Sequence, residues 1–257
     1  MLRLPVSGTL VEMRPFTGAE DMLLLESAAD ELEVSIALAN HLACNDDRTE
    51  LDAASLPFAD LEALLLLLRQ ALLGDRVLSH GRCPAAGCGA ETDISFPIHE
   101  YLAHHRPRCP RNVHATDEPG WYVLRDSDVR FRLVTAADML ACRREADPQR
   151  ALSRRTIRPQ DGSQPDIRRV QHAMESLAPP LAREVEGQCP SCGRATCFFF
   201  NPQSFVQREL RYEAAFLYED VNLLAGSYHW SEEKILSLPR TRRLQYAELA
   251  MRGGVAN

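Results

Sequence analysis

The sequence has almost no lysine and no excess of positive charge. Of its 29 basic residues only Lys234 is a lysine, which we interpret as the coding bias of a GC-rich genome rather than as a functional signal. The 36 acidic residues give the 257-residue chain a net charge of −7 and a pI near 5.6. A chain with this balance has no overall positive field to attract nucleic acid or an anionic membrane, so both partners are disfavoured.

Targeting segments and enzyme motifs are also missing. Residues 1–8 contain no apolar core of signal-peptide length. The most apolar run, residues 61–73, is interrupted by Glu62, Arg69 and Gln70, and it is far shorter than the ~20 residues of a membrane-spanning helix. The sequence contains no phosphate-binding loop, dinucleotide-binding glycine motif, zinc-protease motif or nucleophile elbow. We therefore predict a cytoplasmic, non-enzymatic protein without a small-molecule substrate.

The chain does contain an internal repeat. Residues 11–20 (VEMRPFTGAE) align without a gap with residues 129–138 (VRFRLVTAAD). Each segment alternates like a strand and ends in Thr-x-x-acid, which predicts a helix that begins with a capping box at Thr17 and at Thr135. A hairpin partner precedes each strand, and the turn of the second hairpin falls at residues 125–128.

A second pair of similar motifs follows in the same order. Residues 81–89 (GRCPAAGCG) match residues 187–193 (GQCPSCG), apart from two extra residues between the first two cysteines, and a strand and a helix follow each motif. Each half thus contains a hairpin, helices, a cysteine knuckle, a strand and a helix. We predict an α+β chain with a first repeat half at 1–112, a second half at 113–205 and a helical tail at 206–257.

Further segments are predicted to be helices or connections. An apolar pattern predicts a helix over 61–73, with Gly74 as its C-cap. Residues 167–177 are predicted to form another helix, and residues 204–225 one long helix. Residues 106–120 contain three prolines and are predicted to link the two halves.

The four knuckle cysteines, Cys83, Cys88, Cys189 and Cys192, are candidate zinc ligands. Two cysteines on a tight turn can each present a thiolate, and two such turns complete a tetrahedral, zinc-ribbon-like site that joins the halves. Four thiolates leave no coordination position for water or substrate, so the zinc would be structural. The alternatives are four free cysteines, or a redox-active pair at Cys189 and Cys192, although the βαβ context of such a pair is missing.

The other cysteines give weaker signals. Cys44, Cys142 and Cys197 lie in apolar contexts and are predicted to be small core residues. Cys109 lies in the predicted linker beside two histidines.

The C-terminal part of the sequence resembles a known family. Residues 228–249 (YHWSEEKILSLPRTRRLQYAEL) combine a Trp-Ser-Glu helix start, a Leu-Pro-Arg step and a Tyr-x-Glu-Leu helix, within a longer similar stretch at 210–252. They resemble the baseplate proteins of T-even-type phages, which include hub components and hub-assembly proteins and have relatives in bacterial contractile injection systems. Residues 10–20 and 72–76 are similar to the strand-to-helix opening and to the entry of the first knuckle in these proteins.

The resemblance implies a structural or assembly component of such a baseplate, with hub, spike or wedge proteins as partners and no catalytic residues. It leaves open whether the protein stays in the finished particle. Residues that could contact a partner are the aromatic residues and a local basic patch of the tail: Tyr228, Trp230, Arg240, Arg243 and Tyr246. The alternative is a zinc-ribbon protein that binds nucleic acid through the local basic patch, which consists of Arg240, Arg242 and Arg243. The acidic net charge disfavours this alternative.

Overall fold

Short helices alternate with small sheets along the chain, in a computed structural model that describes residues 1–125, 129–159 and 166–254. The helices are α1 (Gly18–Glu26), α2 (Glu31–Leu42), α3 (Phe58–Leu73), α4 (Ile98–His104), α5 (Ala136–Cys142), α6 (Pro148–Thr156), α7 (Ile167–Leu177), α8 (Pro202–Ala214), α9 (Leu217–Tyr228), α10 (Glu232–Leu236) and α11 (Arg240–Gly254). The strands are β1 (Leu2–Arg3), β2 (Leu10–Met13), β3 (Ala43–Asn45), β4 (Arg76–Arg82), β5 (Glu91–Pro97), β6 (Val113–Ala115), β7 (Trp121–Leu124), β8 (Arg130–Arg132), β9 (Ile157–Arg158), β10 (Arg183–Gln188) and β11 (Ala195–Phe200).

The described strands form small sheets in the orders β1-β2-β3, β4-β5, β6-β7-β8-β9 and β10-β11. The chain is therefore a mixed α/β protein with helices and small sheets. Strands β4 and β10, which precede the two knuckles, were not predicted from the sequence, and each forms an antiparallel hairpin with the predicted strand after its knuckle. Among the described residues, no helix combines the length and the hydrophobicity needed to cross a bilayer.

Both predicted capping boxes are confirmed. The Thr17 N–H donates to the Glu20 carboxylate at 2.7 Å, where α1 begins. In the second copy the Asp138 N–H donates to Thr135 Oγ1 at 3.2 Å, and the Thr135 N–H donates back to the Asp138 carboxylate at 3.1 Å. The carboxylates also lie at the positive end of the helix dipole. The second hairpin forms between β7 and β8, but most of its predicted turn, residues 126–128, lies outside the described residues.

Two compact units divide the described chain. Unit 1 consists of Met1–Leu2, Leu10–Leu51 and the described residues from Gln203 onward, and unit 2 consists of Arg3–Thr9 and the described residues within Asp52–Pro202. The C-terminal helices therefore belong with α1 and α2 in unit 1, and both cysteine knuckles belong to unit 2. The predicted division into two repeat halves and a helical tail rests on similarity within the sequence, and it stays a prediction.

In unit 1 the predicted single helix over 204–225 is wrong. The chain forms two helices instead, because α8 ends at Ala214 and α9 begins at Leu217. The two helices differ in their main partners: on α8 the Arg211 guanidinium donates to the Leu24 carbonyl of α1 at 3.0 Å, whereas α9 packs mainly against α10 and α11 and less extensively against α1. The break between them lets each helix bury its own apolar side.

In unit 2 helix α3 is apolar on nearly all sides and is buried. It begins three residues before the predicted start and ends at Leu73, and the next residue, Gly74, has a φ of +90° and confirms the predicted C-cap. Strand β6 lies inside the predicted linker, between two of its prolines. Its three residues are a strand because they pair with β7. Its Val113 packs with Phe131 of β8 and Val170 of α7 in the core of this sheet.

Candidate metal centre

Each cysteine knuckle connects the two strands of a hairpin in unit 2. In the first, the Cys83 N–H donates to the Ala90 carbonyl at 2.9 Å, and in the second the Cys189 N–H donates to the Arg194 carbonyl at 2.9 Å. The glycine after the second cysteine of each knuckle has a positive φ, +59° in the first and +69° in the second. Glycine adopts this conformation without steric cost, which lets the backbone turn closely around the sulfur atom.

The two knuckles bring their four sulfur atoms together. Sγ of Cys83 lies 3.8 Å from Sγ of Cys192, and Sγ of Cys88 lies 3.8 Å from Sγ of Cys189. All four ligand atoms lie within 4.8 Å of one another. Four sulfurs bonded to one zinc ion at about 2.3 Å would stand about 3.8 Å apart at the corners of a tetrahedron. The spacing is therefore that of a four-coordinate metal site, and it is far too long for a disulfide bond of about 2.05 Å.

In both knuckles the first cysteine is more deeply buried than the second. The first cysteine of each is buried, with 4% of Cys83 and 2% of Cys189 exposed, while Cys88 is half-buried and Cys192 is exposed. The sulfur cluster therefore lies at the end of the paired hairpins, where one side faces the hairpins and the other faces solvent.

Local hydrogen bonds give the thiols different acidities. Backbone N–H groups of Cys192 and Ser191 hold the pKa of Cys189 below its usual value, although burial acts in the opposite direction. The Ala85 N–H acts similarly on Cys83, but burial and the adjacent thiols outweigh it and raise the pKa of Cys83. Like charges this close raise one another's pKa, so ionisation of all four sulfurs requires a cation between them.

A buried threonine beside each knuckle was missed in the sequence. Thr92 and Thr196 each follow the second cysteine of their knuckle by four residues, and both are buried. The Thr92 hydroxyl lies 3.9 Å from Cys189 Sγ, to which it donates. Polar groups that donate to metal ligands orient them and tune their basicity. The signal was present in the sequence as a repeated Cys-Gly-x-x-Thr.

Aromatic side chains from the two hairpins pack together. The ring of Phe96 on β5 and the ring of Phe200 on β11 meet edge to face, with centroids 5.1 Å apart. Tyr101 of α4 contacts both rings and donates its hydroxyl to the Leu181 carbonyl at 2.6 Å. Burial raises the pKa of Tyr101 to about 12. The hairpins are thus joined by apolar packing as well as by the sulfur cluster.

A glycine allows a close approach between the hairpins. A Cβ atom placed on Gly81 of β4 would stand only 2.5 Å from the ring of Phe198 on β11. The corresponding residue of the second hairpin, Gly187, has its nearest such neighbour at 3.6 Å. Gly81 is therefore needed for space, and this contact fixes how the two hairpins are stacked.

A family model for the T4 bacteriophage base plate protein matches residues 1–137, just over half of the chain. The chain belongs to this family. No curated protein and no solved structure gives a significant match.

The match to the baseplate family confirms the resemblance inferred from the sequence. It includes residues 10–20 and 72–76, on which part of that resemblance rested, and the first knuckle. It does not include the second knuckle or residues 228–249, so the similarity of the C-terminal stretch stays a prediction. Membership indicates a structural role in a baseplate and interaction with other baseplate proteins.

The other cysteines of this baseplate protein lie outside the cluster. Cys44 and Cys142 are buried, as predicted for core residues. Cys197 is exposed, so the prediction that it is a core residue is wrong. It lies on β11 between Thr196, which is buried, and Phe198, which is half-buried, and the alternation of a strand directs it to the opposite face. Cys109 is exposed.

The aromatic residues predicted to contact a partner form one cluster in unit 1, in which Tyr228 and Trp230 stack and Tyr246 meets both rings edge to face. The ring centroids of Tyr228 and Trp230 are 4.9 Å apart, and those of Trp230 and Tyr246 are 5.1 Å apart. The ammonium group of Lys234 lies 5.0 Å from the Trp230 ring. Their role in binding a partner stays a prediction.

Arg240 and Arg243 of the predicted basic patch are buried, whereas its third arginine, Arg242, is exposed. The side chains of Arg240 and Arg243 both form ion pairs with Asp21 of α1, which is itself buried, and Arg243 Nε also donates to Asp220 of α9 at 3.2 Å. These contacts hold α11 against α1 and α9. The sequence contained no signal for this pairing, because Asp21 and Arg240 are 219 positions apart.

Proposed function

We propose that the protein is a non-enzymatic structural or assembly component of the baseplate of a contractile, phage-tail-like injection system. It acts by binding other baseplate proteins, of the hub, spike or wedge, and it does so in the cytoplasm, where the particle is assembled. The observation that carries the proposal is membership of the T4 bacteriophage base plate family over residues 1–137. A closed cluster of four thiols, which offers no position to a substrate, suits such a role.

The four cysteines hold one structural zinc ion in a zinc-ribbon-like arrangement. Zinc is the metal that such a set of four thiolates in tetrahedral array selects most often in structural sites. The support is the spacing of 3.8 Å between Sγ atoms of opposite knuckles. Each hairpin supplies two ligands, so the ion would crosslink β4–β5 to β10–β11 and stabilise their stacking.

The cluster of Tyr228, Trp230 and Tyr246 is one face through which unit 1 docks. Aromatic side chains bury a large area at little entropic cost and therefore often anchor protein interfaces. Arg240 and Arg243 support this face indirectly, because their ion pairs position the helix that carries Tyr246.

Co-purification tests the function. When the baseplate genes are expressed together, the tagged chain should co-purify with spike, hub or wedge proteins at a fixed ratio. The Tyr228→Ser variant, which changes the exposed member of this cluster and spares the two rings that pack against the core of unit 1, should reduce that ratio if this face docks. A chain that remains a free monomer and never associates with particles or their precursors would refute the proposal. Duplex binding that weakens steeply with salt would favour the nucleic-acid alternative.

Metal analysis tests the zinc site. The purified chain should contain about one zinc ion, and the Cys83→Ser, Cys189→Ser double variant should lose it. The matched control is Cys109→Ser, Cys197→Ser, which removes two exposed thiols outside the cluster and should retain the ion. A wild-type chain that contains no metal and is nevertheless fully stable would contradict the assignment of a zinc site.

A further inference from the structure

The two cysteine hairpins of unit 2 are related by an approximate two-fold exchange. Sγ of the first cysteine of each knuckle lies 3.8 Å from Sγ of the second cysteine of the other knuckle. Exchanging Cys83 with Cys189, and the second cysteines with each other, therefore leaves this pattern of distances unchanged. The backbone N–H of each first cysteine also donates to a carbonyl of the opposite strand of its own hairpin. A contact made by one hairpin thus has an expected counterpart in the other.

The threonines beside the knuckles occupy equivalent positions. Thr92 pairs across its hairpin with Gly81, and Thr196 pairs across its hairpin with Gly187. Each of these glycines precedes the first cysteine of its knuckle by two residues. Both threonines are buried, and both line one cavity of about 260 Å³ between the hairpins. Their backbone positions are therefore related by the same exchange as the cysteines.

The hydroxyl groups of the two threonines nevertheless have different surroundings. The Thr92 hydroxyl donates to Sγ of Cys189, the buried cysteine of the other hairpin. Thr196 is 2% exposed, and its Oγ1 has no hydrogen-bond partner among the described residues. This oxygen lies 3.6 Å from the position of a Cβ atom placed on Gly187, so it is turned towards its own hairpin. A buried hydroxyl without a partner is unfavourable, because it has given up its hydrogen bonds to water.

The sulfur that corresponds to the partner of Thr92 is that of Cys83. Both buried sulfurs accept backbone N–H groups of their own knuckle, and that of Cys189 also accepts the Thr92 hydroxyl. The exposed Cys192 and the half-buried Cys88 reach solvent and can accept hydrogen bonds from water. A sulfur that binds a metal ion is a thiolate, and a charged acceptor forms strong hydrogen bonds. The buried Cys83 thiolate therefore gains most from a donor supplied by the protein.

We propose that Thr196 is a positioning residue of the metal site, whose hydroxyl donates to Cys83 Sγ when the ion is bound. A rotation about χ1 from one staggered rotamer to another turns Oγ1 away from Gly187 and towards the first hairpin. The cavity that Thr196 lines leaves room for this rotation. Each buried thiolate is then oriented by a threonine of the opposite hairpin. This inference rests on the proposed zinc site, because it names a group that holds one of its ligands.

Substitutions of Thr196 in the full chain test this role. Thr196→Val keeps the shape of the side chain and removes the hydroxyl, so zinc affinity, measured by competition with a chelator, should fall about tenfold. Thr196→Ser keeps the hydroxyl and should retain the affinity within about threefold. The matched control is Thr156→Val, which removes another buried hydroxyl of unit 2, one that donates to a carbonyl of its own helix, and should leave zinc affinity unchanged.

Cobalt(II) bound in place of zinc reports on the sulfur atoms themselves. A hydrogen bond to a thiolate stabilises its lone-pair electrons and raises the energy of thiolate-to-cobalt charge transfer. The charge-transfer bands of the cobalt-loaded Thr196→Val chain should therefore shift to longer wavelength, and those of Thr196→Ser and Thr156→Val should not. A crystal structure of the zinc-loaded wild-type chain should show Thr196 Oγ1 within hydrogen-bond distance of Cys83 Sγ, which decides the question even if Thr196→Val does not fold.

Three outcomes overturn the inference. The first is unchanged zinc affinity and unchanged cobalt bands in Thr196→Val. The second is an equal loss of affinity in Thr196→Ser, which would assign the effect to packing of the methyl group. The third is a zinc-loaded structure in which the Thr196 hydroxyl binds a water molecule in the cavity. In each case the wild-type chain still binds zinc, so only the role of Thr196 fails. If the wild-type chain binds no metal, the proposed zinc site fails and this inference fails with it.

Discussion

Asp21→Asn is expected to destabilise unit 1 strongly, because it removes one charge from a buried ion-pair cluster. Asp21 is fully buried and accepts hydrogen bonds from Arg240 and from Arg243, whose Nη2 lies 2.6 Å from Oδ2. Asp220 is the other carboxylate in the cluster, at 3.2 Å from Arg243 Nε. The wild-type cluster thus balances two positive charges with two negative ones.

The magnitude follows from this balance. Asparagine has nearly the same volume as aspartate, so the substitution opens no cavity, but it leaves one buried positive charge without compensation. Removing one partner of a buried ion pair costs about 3–5 kcal/mol. With a urea m-value of about 2 kcal/mol/M, the unfolding midpoint of unit 1 should fall by about 2 M.

Tryptophan fluorescence can follow unit 1 alone. The chain has two tryptophans, and a Trp121→Phe background leaves Trp230 of unit 1 as the sole reporter. The control in this background is Glu248→Gln, which breaks an exposed pair with Arg252 and should cost less than about 0.5 kcal/mol. If Asp21→Asn shifts the midpoint no more than this control, the cluster does not carry the stability assigned to it.

Three further predictions concern unit 2. Thr92→Val removes the hydroxyl that donates to Cys189 Sγ and should lower zinc affinity about tenfold, measured by competition with a chelator; unchanged affinity would refute a role in orienting the thiolate. Gly81→Ala places a methyl group against an aromatic ring of β11 and should cost about 1–3 kcal/mol in urea unfolding, whereas Gly187→Ala should cost less. Burial would raise the pKa of Asp138, but hydrogen bonds from two arginines outweigh it and hold the pKa well below its usual value. The contribution of Asp138 to the free energy of unfolding is therefore complete above about pH 4, near the pKa of this group in the unfolded chain, and it decreases as the pH falls towards the pKa in the folded chain. The free energy of unfolding of the Asp138→Asn variant, measured across the same acid range, should lack this decrease.

Elements that depend on neighbouring residues were predictable from the sequence. The capping boxes at Thr17 and Thr135 and the C-cap at Gly74 involve contacts over a few residues, so their residue types indicate the helix ends directly. Helix α7 was predicted with its observed bounds for the same reason. The repeated cysteine spacing likewise indicated which four residues share a site.

Elements that depend on distant partners were missed or predicted wrongly. Strand β6 looked like linker because its pairing with β7 decides its conformation, and the break between α8 and α9 follows from two separate packing surfaces. Thr92 was missed for the same reason, because the sulfur that its hydroxyl contacts, Cys189 Sγ, is 97 positions away in the chain.

The sequence by itself indicated the family and the identity of the candidate ligands, because short motifs and cysteine spacing are local patterns, and it predicts the duplicated plan, which stays a prediction. The tertiary structure alone decided that the four sulfur atoms stand at the spacing of a metal site. It also decided that Arg240 and Arg243 are buried against Asp21 rather than exposed as a basic patch. Burial and charge pairing arise between residues far apart in the chain, so no local pattern records them.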